Sequence, residues 1–499
     1  MPEQGDLYCA SLHTSPQPSL GKILVTGATG YIGGRLVPEL IARGYDVRVM
    51  VRSSSPEYQE RWPGAEIVTG DALDVKSLTS ALKGVNTAYY LIHSLLHGPK
   101  RFEEADIQAA ANFTRAADVN KVSRIIYLGG LGDVRTRLSD HLRSRQAICA
   151  ELIKGSAKVT VLRAAIIIGS GSASFEMIEH LVRNLTVLFL PPWAETKCQP
   201  IAIRNVVMYL VGVLETPETA GFSYDIGGPD ILSYHEMMRI FAEILHLRRL
   251  FIPIFFRGIR AFSYVTSLLT PVPHSIVSCL LESTANTVVC QNNDILAGVP
   301  IKLIPYREAV LRALSREDQD RIYTRWSDAY PPAHELAMKL TEMNLSVLFI
   351  KSTTMETAKT ASSLFNSICR VGGKEGWFNA NWLWMLRGTL DRLLMGVGTS
   401  RGRRHSSLLR VNDVVDFWRV EEIRTDERLL LRAEMKLPGR AWLEFSIHGK
   451  ASRSNTLTVR AYYQPFGFWG RAYWYACLPL HFFIFSGLIR QIERRSASR

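Results

Sequence analysis

The sequence predicts a two-part protein: a doubly wound parallel α/β sheet in front, and a smaller α+β domain behind it. Three observations lead there. In the first half, short Val/Ile/Leu runs alternate with segments of helical spacing, as in a parallel sheet covered on both faces. A glycine-rich loop separates the first such run from the first helix. In roughly the last 150 residues the pattern changes to long alternating runs, the mark of half-buried antiparallel strands.

Taken in order, Lys22–Thr26 reads as a compact apolar strand. Gly33–Arg43 follows with helical spacing through Leu36, Val37, Leu40 and Ile41, closed by Gly44. Tyr45–Val51, Glu66–Val68, Thr87–Ile92, Arg124–Leu128 and Val159–Leu162 read as further strands. Helices are expected between them at Val75–Leu82, Phe102–Asp118 and His141–Lys154. Phe222–Ile226 reads as a strand, followed by the turn Gly227-Gly228-Pro229 and a helix from Tyr234. The stretch from Arg248 to about Leu345 is aromatic-rich and mostly helical in pattern, and it breaks around Arg325–Pro332. Behind it, helices are expected at about Thr357–Val371 and Trp377–Leu394. Strands follow at Asp413–Ile423, Arg428–Lys436, Ala441–His448 and Thr456–Tyr463, and an apolar helix at about Ala472–Ile492. The domains expected are a mobile extension over 1–20, an α/β domain over 21–330, and the α+β domain over 345–499.

The chain has 499 residues, 47% hydrophobic and 21% charged, a globular composition with ample length for two cores. The net charge is +13. From Arg370 onward, 22 Lys and Arg stand against 11 Asp and Glu, so this stretch alone carries +11. A basic surface is therefore a property of the C-terminal end. It reads as a solvated face or as a peripheral contact with anionic membrane; no zinc-finger or RNA-binding motif supports nucleic acid. Seven scattered cysteines offer neither metal spacing nor a disulfide framework. A cytoplasmic location is expected, with membrane association open. The first residues have no basic start and no apolar run, so no signal peptide is expected there. Ala472–Ile489 is uncharged but carries Pro479 and His481, and reads as a buried or interfacial helix rather than a span.

The loop Thr26-Gly27-Ala28-Thr29-Gly30-Tyr31-Ile32-Gly33 opens a βαβ unit. Gly27 suits the tight turn, Gly30 a close approach to pyrophosphate, and Gly33 close helix–sheet packing. Phosphates then sit on the helix N-terminus. The second strand ends Val51-Arg52-Ser53 with no acid to hold a ribose hydroxyl. Arg52 can instead pair with a 2′-phosphate, which favours NADP (NADPH). In Gly70-Asp71-Ala72-Leu73-Asp74 a carboxylate can accept from the adenine amino group, or Asp74 can cap the next helix.

Together these residues resemble the atypical extended short-chain dehydrogenase/reductases, near their NmrA-like branch. The segments Ala88-Tyr89-Tyr90-Leu91-Ile92-His93-Ser94, Tyr127-Leu128-Gly129-Gly130-Leu131-Gly132 and Tyr224-Asp225-Ile226-Gly227-Gly228-Pro229 add to the resemblance, which spans about residues 20–310. It implies that 21–330 is a Rossmann-type, dinucleotide-binding domain with a small substrate lobe, holding NADP(H) through Gly27, Thr29, Gly30, Tyr31, Ile32, Gly33, Arg52, Asp71, Ala72, Ile92 and His93. The family's usual catalytic Tyr, the Lys four residues on and the Ser are missing. His141 stands where Tyr would be, Arg145 where Lys would be, and Gly129 or Gly130 where Ser would be. With an ordinary pKa near 6.5, His141 could protonate a carbonyl; it could equally be a cofactor or structural ligand, or a neutral surface residue.

Residues 345–492 resemble an uncharacterised domain fused behind such reductases, and their element order is similar to START-like helix-grip proteins. Seven of the ten Trp lie there, which fits either core filling or a cavity for an apolar ligand. The function expected is an NADP(H)-dependent oxidoreductase acting on a hydrophobic carbonyl or enone. The alternatives are a catalytically silent NADP(H) sensor, or a membrane-peripheral lipid-handling or assembly protein.

Overall fold

The structure, a computed structural model, describes residues 7–52, 56–92, 99–132, 140–256, 258–315, 340, 348–399, 409–449 and 454–496. The chain divides into two compact units: Met1–Leu269 with Ser275–Tyr330, and Thr270–His274 with Pro331–Arg499.

The first unit is built on a seven-stranded, all-parallel sheet. Its strands are β1 (Lys22–Val25), β2 (Val47–Val51), β3 (Glu66–Thr69), β4 (Val85–Tyr90), β5 (Arg124–Gly130), β6 (Lys158–Ala164) and β7 (Ser223–Ile226). Their spatial order is β7-β6-β5-β4-β1-β2-β3. The order reverses between β1 and β4, the place where doubly wound folds bind ligands. Helices α1 (Gly33–Ala42), α2 (Val75–Ala81), α3 (Pro99–Val119), α4 (Asp140–Ile153), α5 (Ala173–Asn184), α6 (Ile203–Glu215) and α7 (Tyr234–Ile244) accompany the sheet. Two apolar cores flank it. One joins Ile23, Val25, Val47 and Val49 to Leu36 and Leu40 of α1 and Val206 and Leu210 of α6. The other joins Leu24, Ala88 and Ile125 to Leu78 of α2, Phe113 of α3 and Ile148 of α4. Alternate residues of β1 feed opposite cores, as the strand period of two requires.

The expected mobile extension is instead docked from residue 7 on. Tyr8–Ser11 forms a turn of 3₁₀ helix with Cys9 buried. The backbone N–H groups of Tyr8 and Cys9 donate to the buried Glu39 carboxylate at 2.7 and 3.0 Å. Arg43 donates to the carbonyls of Cys9 and Thr14 and pairs with buried Glu215 at 2.7 Å. The polar composition of residues 1–20 hid two apolar plugs, Cys9 and Leu12, that complete the first core.

The second unit is a six-stranded antiparallel sheet with helices. Its strands are β8 (Phe349–Thr357), β9 (Val414–Val415), β10 (Trp418–Arg424), β11 (Arg428–Ala433), β12 (Gly439–Gly449) and β13 (Asn455–Pro465), in the order β8-β13-β12-β11-β10-β9. The helices are α8 (Ala361–Ile368), α9 (Asn381–Leu393) and α10 (Gly467–Arg495). Three expectations are corrected here. β8 occupies a stretch with no assigned element and takes Thr357 from the expected helix, because Thr360 caps α8 three residues later. Asp413–Ile423 is two strands, since Asp416 adopts φ +56° and turns the chain between them. The last helix is longer than expected, and much of its apolar surface faces outward rather than into the sheet.

Candidate functional site

The glycine loop follows β1 directly. Gly27 has φ +67°, and a Cβ there would come within 2.4 Å of the Leu91 carbonyl oxygen. A Cβ on Gly33 would stand 2.5 Å from the Gly27 carbonyl oxygen. Both positions therefore demand glycine: the first for the turn, the second for seating α1 against it. α1 starts with no side-chain cap and no acid in its first turn. The N–H groups of Gly34, Arg35 and Leu36 donate to the Gly30 and Ile32 carbonyls, so what this helix end offers an anionic ligand is its positive dipole with no competing acid. Arg35 locks the loop from behind. Its guanidinium donates to the Tyr31 carbonyl at 2.8 Å and to the Ser170 carbonyl at 2.9 Å, and lies over the Tyr31 ring.

A cavity of about 340 Å³ opens at this loop. Gly27, Gly30, Tyr31, Ile32 and Gly33 form one end. The C-terminal ends of β4, β5 and β6 supply Leu91, Leu128, Gly129, Gly130 and Ala164. Arg145 and Leu142 enter from α4. The far wall is apolar with a few hydroxyls: Met177, Ile276, Leu280 and Val288 beside Ser172, Ser174, Tyr234, Ser283 and Thr284. These come from segments scattered over more than 100 residues, and sequence patterning missed them because each alone reads as ordinary helix or loop.

Arg145 reaches the Leu128 carbonyl at 3.5 Å, and its backbone carbonyl accepts from the Tyr127 hydroxyl at 3.2 Å. Its Nε is buried without a hydrogen-bond partner among the described residues. Burial pushes the Tyr127 phenol up, opposed by the Arg145 charge. Burial also drives Tyr234 well above its ordinary value, with Cys198 adding to the effect, so its hydroxyl stays protonated.

The other expected cofactor residues lie around the same strand ends. Thr29 is half-buried in the loop but not on the cavity wall. Arg52 directly follows β2 and is exposed. Asp71 accepts from the Leu73 N–H at 3.0 Å, an Asx turn, and Asn112 fixes the loop by donating to the Ala72 and Leu73 carbonyls. Asp74 caps α2 by accepting from the Lys76 N–H at 2.9 Å. Ile92 is half-buried just after β4, one residue beyond the cavity-lining Leu91. His93 lies outside the described residues. His141 occupies the first turn of α4, and its side chain lies outside the described residues.

Among known proteins, residues 19–254 match the model of the NmrA-like family, and residues 346–488 that of a "Protein of unknown function (DUF2867)". The mitochondrial NADH dehydrogenase [ubiquinone] 1 alpha subcomplex subunit 9 of Arabidopsis thaliana is 26% identical over 48% of this chain, which covers 62% of that protein. The ceramide reductase of Caulobacter vibrioides is 26% identical over 45% of this chain and 71% of its own length. A solved nucleoside-diphosphate-sugar epimerase from Staphylococcus aureus covers 58% of this chain and 99% of its own at 17% identity, with a TM-score of 0.49. Over residues 19–254 the front unit is thus similar to NmrA-like proteins, on a seven-stranded parallel sheet of Rossmann type.

Proposed function

From an NmrA-like NAD(P)-binding unit as premise, we propose that this protein is an NADPH-dependent reductase of a hydrophobic ketone, aldehyde or enone. The observation that carries this reading is one continuous cavity running from the glycine loop to an apolar wall with few hydroxyls. When bound at the loop, the nicotinamide cofactor supplies the hydride. The chain's own groups then bind and orient. Met177, Ile276, Leu280 and Val288 exclude water and hold an apolar substrate body. Arg145 offers a fixed positive charge beside the ends of β5 and β6. His141 stands four residues before Arg145 on α4, so both positions share one helix face. In this reading His141 delivers the proton to the carbonyl oxygen, replacing the family's usual Tyr. Preference for NADPH rests on Arg52 at the end of β2, where no carboxylate stands. The name of the bacterial relative, a ceramide reductase, fits a lipid-like substrate.

The second unit, a sheet with a long helix packed on β8 and β13, is read as a helix-grip domain that handles the apolar ligand. Testing the whole reading requires the full chain, NADPH and a panel of apolar and polar carbonyls. Consumption of NADPH only with apolar members supports it. A protein that binds NADPH yet reduces no carbonyl or enone refutes it.

A further inference from the structure

The second unit carries two helices turned inside out. On α9, the buried positions are Trp384, Gly388 and Asp391, while Trp382, Met385, Leu386, Leu390 and Leu393 are 48–64% exposed. From Ala472 to Ile489 α10 carries no Asp, Glu, Lys or Arg on any side, yet only 22% of its apolar 18-residue window is buried. Its inner stripe, Trp474, Phe485, Leu488 and Ile492, packs inward. Its outer stripe exposes Phe468, Tyr475, Leu480, Phe482 and Phe483. A helix apolar all round belongs in a core or in lipid. The two helices are neighbours running in opposite directions. Asn379, just before α9, donates to the Ile484 carbonyl at 3.2 Å, and Arg387 of α9 lies close enough to Tyr473 of α10 for its charge to oppose the upward push of burial on that phenol.

Charge tells what covers this face. No Asp or Glu occurs from Gly467 to Gln491, and the one acid of α9, Asp391, is fully buried. Cations border the aromatics instead: Arg471 and Lys436 are exposed, Arg440 lies over the Phe466 ring, and Lys351 lies over the Phe482 ring. Exposed Trp, Tyr and Phe framed by Lys and Arg is the composition of a surface that seats in the headgroup layer of an anionic bilayer.

We propose that α9 and the outer stripe of α10 form a monotopic membrane-docking surface for anionic lipid. It does not span. The inner stripe of α10 is held by the sheet, and Pro479 and His481 interrupt the apolar run. This proposal stands on the second unit alone and is independent of the reductase reading.

The test is co-sedimentation of the full chain with phosphatidylcholine vesicles, with and without phosphatidylglycerol at about 30 mol%. Binding should be at least about tenfold stronger to the anionic vesicles and should fall as salt rises. The exposed-site variants Phe482→Ser/Phe483→Ser and Arg471→Glu/Lys436→Glu should each lose about tenfold or more while keeping the wild-type circular dichroism and melting curve. Release by high salt and carbonate is expected. No vesicle binding, unchanged binding by the folded variants, or retention after carbonate overturns the proposal. So does sedimentation showing that the face is covered by a second copy of the chain, with the apolar variant monomeric.

Discussion

Gly27 lies against the backbone of Leu91 so closely that a methyl group on it would overlap the Leu91 carbonyl oxygen, at 2.4 Å. This contact ties the glycine turn to the end of β4, on the two strands where the sheet order reverses. The turn's shape is therefore set by the sheet itself and not by the ligand.

The first prediction follows from that contact. Gly27→Ala forces a Cβ into backbone at φ +67°, so the turn must open. NADPH affinity should fall by about tenfold or more, with a loss of about 1–3 kcal/mol in stability. Fluorescence titration together with urea unfolding checks both. Unchanged affinity in the folded variant would show that the dinucleotide binds elsewhere.

Arg52 supplies a second prediction. A guanidinium–phosphate pair contributes roughly 1.5–3 kcal/mol, so NADPH should bind about ten- to a hundredfold tighter than NADH. Arg52→Asp should narrow or invert that ratio. Equal affinities in the parent protein would remove Arg52 from cofactor selection.

The third prediction concerns the docked N-terminus. Deleting residues 1–20 uncovers Leu40 and its neighbours and strips Glu39 of two N–H donors. Burial already pushes the Glu39 carboxyl up, so losing its donors leaves a poorly solvated charge. The truncated chain should lose about 2–4 kcal/mol, seen as a lower urea midpoint. An unchanged midpoint would mean that the extension contributes nothing to the core.

His481 gives a pH dependence. Its ring stacks on Phe485 and meets the Trp474 edge, with Lys351 near, and burial first and that cation second push its pKa down to about 4. In the unfolded chain it titrates near 6.5. Between these values the unfolded state binds more protons than the folded state. The stability contribution of neutral His481 is therefore complete above pH 6.5 and falls as pH drops toward 4. His481→Phe should remove this dependence, flattening the urea midpoint of the second unit across that window. Parallel pH profiles for parent and variant would place His481 in contact with solvent.

The β/α alternation of the front unit was legible because a parallel sheet buried on both faces must be apolar throughout, and helices must alternate with it. The glycine loop was legible because its constraints are local: Gly27 and Gly33 meet backbone within a few residues or on the adjacent strand. The apolar cavity wall was not, since Met177, Tyr234, Ile276 and Thr284 converge only through tertiary folding. β8 was missed because every second residue, Ile350, Ser352, Thr354 and Glu356, faces outward on an edge strand and dilutes the apolar signal. Apolar composition also cannot say whether a face is covered. The run ending the chain read as a buried or interfacial helix, and only the structure shows that one stripe is packed and the other bare.

The reductase reading is tested most directly by isotope transfer. The full chain is incubated with NADPH deuterated at the nicotinamide C4 and an apolar ketone or enone, and the product is examined by mass spectrometry. Deuterium on the reduced carbon, lost when His141→Phe or Gly27→Ala is used, is the predicted result. Product without deuterium, or bound NADPH that no apolar carbonyl oxidises, would contradict the account.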